Sequence, residues 1–102
     1  MEKNEQTNNT TNVLNEQRLY AMLHSIPILR ESEISLFADI IALHKPKAVL
    51  EIGTAIGYST LLMAENMDPQ GQIVTIELDE NRYKKAKEFC EQTIYKDAIH
   101  FH

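Results

Sequence analysis

The chain has 102 residues, 43% apolar and 25% charged, with a formal net charge of -5. This suits one small globular unit and argues against a broad nucleic-acid-binding surface on it. A single cysteine, Cys90, excludes an internal disulfide and suits a reducing cytosol, and no apolar run approaches the about 20 residues of a membrane span, so a cytoplasmic protein without membrane contact is expected.

Residues 1–12 hold no large apolar residue after Met1 and read as a disordered tail, not as a secretory signal. Residues 13–47 read as two helices. Val13, Leu14, Leu19, Tyr20 and Leu23 form a loose helical stripe, which Ser25-Ile26-Pro27-Ile28 interrupts. Ser32 is the expected cap of the second helix, with Ile34, Phe37, Ala38 and Ile41 on its apolar face. Lys45-Pro46-Lys47 supplies its stop. Residues 48–102 then alternate. Ala48–Ile52 is a nearly continuous apolar run of the kind found in parallel strands buried on both faces. A helix over 58–67, turn residues at 68–71, a strand over 72–78, a helix over 80–93 and a strand from Ala98 follow. The order, two helices then β-α-β-α-β, predicts an α/β, Rossmann-like half-fold with parallel strands.

The chemistry concentrates at Val49–Ser59. A strand ends in Glu51-Ile52, Gly53-Thr54-Ala55-Ile56-Gly57 turns the chain, and Tyr58-Ser59-Thr60 starts a helix. Gly53 permits a sharp turn or positive φ and keeps a Cβ away from a ligand. Gly57 lets the helix approach the strand closely. Free N–H groups at the helix start, with the Ser59 hydroxyl, can hold a carboxylate or phosphate. Ala55 stands where a dinucleotide fingerprint needs its central glycine, which argues against an oxidoreductase half-fold. Glu77, at the end of the second strand, can accept hydrogen bonds from both ribose hydroxyls of an adenosine. A strand-glycine-helix turn can also be architectural alone, and a non-catalytic nucleoside-binding or dimerisation module remains the alternative.

At these residues the chain resembles the class I S-adenosylmethionine-dependent methyltransferases. Val49–Ser59 with Thr75-Ile76-Glu77-Leu78-Asp79 is similar to the cation-dependent O-methyltransferases, the catechol and caffeoyl-CoA type. Ile26-Pro27-Ile28 and Lys45-Pro46-Lys47 look most like the bacterial tRNA 5-hydroxyuridine enzymes of that group. The resemblance covers about residues 19–102 and the N-terminal half of the family's domain. It implies S-adenosyl-L-methionine as cofactor. Glu51 and Gly53 would line its methionine side, Ser59 would bind its amino-acid end, Glu77 its ribose, and Leu29 would touch it from the N-terminal helices. It also implies Mg²⁺, whose family ligands follow the fourth and fifth strands and so match nothing in this sequence. The acceptor would be a hydroxyl, on tRNA or on a catechol-like molecule. No catalytic or metal residue is assigned here, and 102 residues alone are expected to be inactive.

Other residues read as structural. His100 and His102 share a strand face without a third metal ligand. His24 and His44 sit at helix ends, Cys90 is a small core residue, Tyr58 packs over the loop, and the lysines at 84, 85 and 87 lie on a solvated face. Without a further strand beside it, Ala48–Ile52 would be an apolar edge that invites pairing, so homo-oligomerisation or poor stability is expected.

Overall fold

The structure, a computed structural model, describes residues 8–102. The first seven positions of the expected tail lie outside them. Four helices and three strands follow in the order α1 (Thr10–Leu23), α2 (Glu31–His44), β1 (Ala48–Ile52), α3 (Tyr58–Asn66), β2 (Gln72–Ile76), α4 (Glu80–Cys90) and β3 (Ile99–Phe101). The strands form one parallel sheet in the order β1-β2-β3. Element order and strand direction are those the alternation predicts.

Helix α1 starts within the expected tail, because the Asn8 side chain accepts from the Thr10 amide at 3.1 Å and from its hydroxyl at 2.6 Å. Its buried face is Thr10, Val13, Leu14, Gln17 and Ala21, whereas Leu19 and Leu23 are exposed. Of the expected stripe, Val13 and Leu14 are buried and Tyr20 packs against the core, while the polar Thr10 and Gln17 take the places beside them that Leu19 and Leu23 do not. Helix α2 begins before Ser32. The Glu33 carboxylate reaches back to the Arg30 amide at 3.0 Å, which caps the first turn one residue pair earlier than expected. Asp79 caps α4, accepting from the Arg82 amide at 2.9 Å.

The core lies between the helices and one sheet face. Ile56, Leu61 and Ile73 are wholly buried, with Val13, Tyr58, Phe89 and Ile99 around them. Side chains alternate along a strand, so Val49 and Glu51 turn inward while Leu50 and Ile52 turn outward. Leu50 is 66% exposed and Ile52 72%. The expectation of burial on both faces of β1 therefore fails among the described residues: no helix covers the face that carries Leu50, Ile52 and Val74. The two crossovers run in the same direction along the sheet and bring their helices to the same side.

Two glycines set the turn between β1 and α3. Both take φ +88, but in different surroundings. A Cβ on Gly53 would meet nothing within 4 Å. A Cβ on Gly57 would lie 3.0 Å from Cys90 Sγ and 3.3 Å from Gln17 Nε2. Gly57→Ala is therefore expected to lose about 2–4 kcal/mol, from left-handed strain plus overpacking, and Gly53→Ala only about 1 kcal/mol from strain alone. Urea melts of the two variants check the difference. The uncovered sheet face carries a second prediction: residues 1–102 alone self-associate, and sedimentation showing a stable, cooperatively melting monomer would contradict this.

Candidate functional site

Loop 53–57 is held by the strand ends it joins. The amides of Gly53 and Thr54 donate to Ile76 O at 2.8 and 3.2 Å, and Gly57 N donates to Thr54 O at 2.9 Å. The first α3 bond runs from Leu61 N to Gly57 O at 3.0 Å. The amides of Tyr58, Ser59 and Thr60 thus precede the intrahelical ladder, as at any helix start. Beside them lies a cavity of about 350 Å³ lined by Pro27, Ile28, Leu29 and Phe37 on one wall and by Glu51, Gly53, Thr54, Ala55, Tyr58 and Ser59 on the other. The structure so brings four of the expected site residues, Leu29, Glu51, Gly53 and Ser59, around one cavity.

Glu77 lies outside that lining but is tied to it. Its Oε1 accepts from the Ala55 amide at 2.7 Å and its Oε2 from the Asp79 amide at 2.9 Å. Ala55 holds φ 52, a left-handed conformation that costs a residue with a Cβ about 1 kcal/mol. That conformation aims its amide at Glu77. Two backbone donors fix the carboxylate, and its remaining lone pairs can accept two more.

Glu51 is the centre of a hydroxyl network that the sequence reading did not contain. Its Oε1 accepts from Thr60 Oγ1 at 2.5 Å and from Thr75 Oγ1 at 2.8 Å, and its Oε2 from Ser59 Oγ at 2.5 Å. Thr54 Oγ1 lies 2.5 Å from Thr75 Oγ1. Thr54, Thr60 and Thr75 are buried. Ser59 in this arrangement donates to Glu51, so holding the amino-acid end of a ligand requires its hydroxyl to turn. The strand register, which pairs Glu51 with Thr75, was the available signal: an inward carboxylate on a buried strand needs donors from its neighbours.

The remaining candidates stay apart. His100 Nε2 lies 2.5 Å from Gln72 Oε1, and no group of three His, Cys, Asp or Glu residues among those described could hold a metal ion. His24 caps α1 and stacks on Tyr20 at 4.1 Å, and His44 Nδ1 meets Ile40 O at 2.9 Å. Lys84 and Lys85 pair with Glu80 and Glu88 on the α4 surface. Cys90 is fully buried, and its thiol is pushed up to about 12, by burial first and then by the Glu51 and Glu91 charges. No helix among the described residues is long and apolar enough to cross a membrane.

A parallel sheet with a glycine turn after β1, a helix start beside it and an acid closing β2 defines the N-terminal part of a Rossmann-like, class I methyltransferase fold. The profile of the O-methyltransferase family matches residues 4–102, and the chain belongs to that family. Among solved structures it is similar to a Staphylococcus aureus protein assigned as a caffeoyl-CoA O-methyltransferase, with TM-score 0.78 and 28% identity, covering 87% of this chain and 42% of that one. It shares its fold with a Bacillus cereus O-methyltransferase solved in complex with SAH, with TM-score 0.78 and 22% identity, covering 89% of this chain and 42% of that one. Among curated relatives, the protein-L-isoaspartate O-methyltransferase of Methanothermobacter thermautotrophicus is 30% identical over 69 residues, covering 68% of this chain and 32% of the relative. The human transmembrane O-methyltransferase is 53% identical over 34 residues, covering 33% and 12%. The chain thus spans less than half the length of each of these proteins.

Two expectations follow from the network and the thiol. Thr75→Val leaves both Glu51 and the Thr54 hydroxyl short of a partner and is expected to cost about 1–3 kcal/mol in a urea melt, while Thr75→Ser retains most of the stability. Cys90 is expected to resist alkylation at pH 8 until the protein is unfolded, because the thiolate is the nucleophile and a thiol at about 12 hardly ionises there. Rapid native labelling, read by mass spectrometry, would contradict it.

Proposed function

We propose that the protein to which this chain belongs transfers a methyl group from S-adenosyl-L-methionine to a hydroxyl. One observation carries the reading. The Glu77 carboxylate is pinned by the Ala55 and Asp79 amides beside a glycine turn whose open side, at Gly53, faces a cavity. An adenosine-type ligand fits that layout. Glu77 takes the ribose hydroxyls, the Gly53 backbone leaves room for the thioether side, and the free amides of the α3 N-terminus take the amino-acid carboxylate, joined by Ser59 once its hydroxyl turns from Glu51. When bound, such a cofactor supplies a methyl group on a positively charged sulfur. Transfer would form a C–O bond at the acceptor as the S–CH₃ bond breaks, the electron pair leaving on sulfur and the hydroxyl proton passing to a base.

What these residues do in that reaction is bind and orient. The Glu51 network holds Ser59 and stiffens the cavity floor, and Leu29 and Phe37 keep one wall apolar. Orientation of this kind supplies much of the rate in a bimolecular transfer. Among the described residues no group of three His, Cys, Asp or Glu could hold a metal ion, so none of them is given a role toward Mg²⁺. For the acceptor we favour a tRNA 5-hydroxyuridine, on the look of residues 26–28 and 45–47, over a catechol-like molecule.

Calorimetry on the protein at its natural length tests the cofactor. S-adenosylhomocysteine is expected to bind with Kd near or below about 1 μM, and Glu77→Ala to weaken it by at least about tenfold, or 1.4 kcal/mol. Tighter binding of NAD than of S-adenosylhomocysteine would overturn the reading. Labelled methyl transfer to tRNA and to catechol, run side by side, separates the two acceptors.

A further inference from the structure

We infer that α1 braces the cofactor cleft, with Gln17 and Arg18 as positioning residues that hold its two walls in place. This rests on the cofactor reading of that cleft. The walls come from distant parts of the chain, residues 27–29 and the loop 53–57 with the start of α3. No backbone hydrogen bond among the described residues joins them. Two consecutive residues of α1 do so instead.

Gln17 is wholly buried, and its Nε2 donates to Ile56 O in the loop at 3.0 Å. The same nitrogen lies 3.3 Å from where a Gly57 Cβ would stand. Arg18 sits about 100° further round the helix and so reaches a different neighbour. Its Nη1 donates to Leu29 O at 3.1 Å, and its guanidinium lies 5.4 Å from the centroid of the Tyr58 ring. Leu29 belongs to one wall and Tyr58 to the other, so Arg18 touches both.

Packing alone does not account for Gln17. Its Oε1 is buried without a partner, a cost that leucine or methionine of similar size would avoid. The residue is explained by its donor. Ile56 O is a loop carbonyl inside the core, and Gln17 supplies the N–H that satisfies it. A loop held this way is ordered before the ligand arrives, so binding loses less conformational freedom.

The test uses the natural-length protein and the variants Gln17→Met, Arg18→Met and Arg18→Lys. The methionine variants keep side-chain bulk and lose the donor. Two readouts are needed: hydrogen exchange of the ligand-free loop amides Gly53, Thr54 and Gly57 against Ile73 in β2, and the Kd of S-adenosylhomocysteine. Both methionine variants are expected to speed loop exchange by about tenfold with Ile73 unchanged, and to raise Kd by about fivefold to tenfold. Arg18→Lys, which keeps one donor for Leu29 O, is expected to recover part of each effect. Unchanged loop exchange in both methionine variants overturns the brace, as does equal acceleration at Ile73, which is general destabilisation. Faster loop exchange with unaltered Kd overturns its role in cofactor binding. Loop loosening in a protein that binds no S-adenosylhomocysteine even as wild type supports the brace and overturns the cofactor reading instead.

Discussion

The close approach at Gly57 is the constraint on which the other parts depend. At this point the loop after β1 passes within van der Waals contact of α1, through Gln17, and of α4, through Cys90 and Ala86. Three helices meet where one side chain is missing. Its φ of +88 turns the chain into α3 at the same residue. Any Cβ would push Cys90 or Gln17 outward, and Gln17 carries the hydrogen bond that holds Ile56 O. Closeness here also explains why the Cys90 thiol is so strongly shifted: it sits in the tightest part of the core with the Glu51 charge nearby.

Around that point, two carboxylates do different work. Glu51 turns inward from a strand and is saturated by hydroxyls from Ser59, Thr60 and Thr75. It couples β1, β2 and α3, so its first role is to make the floor of the cavity rigid. Glu77 ends a strand, is held by two amides, and keeps unused lone pairs. That free capacity is what the proposed ribose contact would use.

The apolar residues on the outer sheet face, Leu50, Ile52 and Val74, belong to the same layout. Strand alternation sends every second side chain of β1 away from the helices, so an inward Glu51 requires an outward Leu50 and Ile52. The relatives are more than twice as long as this chain. The result is an exposed apolar patch of the kind that marks an interaction surface.

Much of this was legible in the residues themselves. Strand-glycine-helix order, the parallel sheet, the positive φ of Gly53 and the apolar face of α2 follow from local rules about period and turns. The family pattern singled out Leu29, Glu51, Gly53 and Ser59, and the structure brings them around one cavity. Start points of α1 and α2 did not, because Asn8 and Glu33 cap through side chains whose reach depends on geometry. The polar part of the packed flank of α1 did not either, because Gln17 counts as polar until a loop carbonyl stands opposite it. The Glu51 network needed the strand register, which places Thr75 beside it. The sequence by itself determined where the chain turns, since backbone strain and hydrophobic period are local. Only the tertiary structure decided which polar groups satisfy one another, since a buried donor and its acceptor, such as Gln17 and Ile56, can lie far apart along the chain.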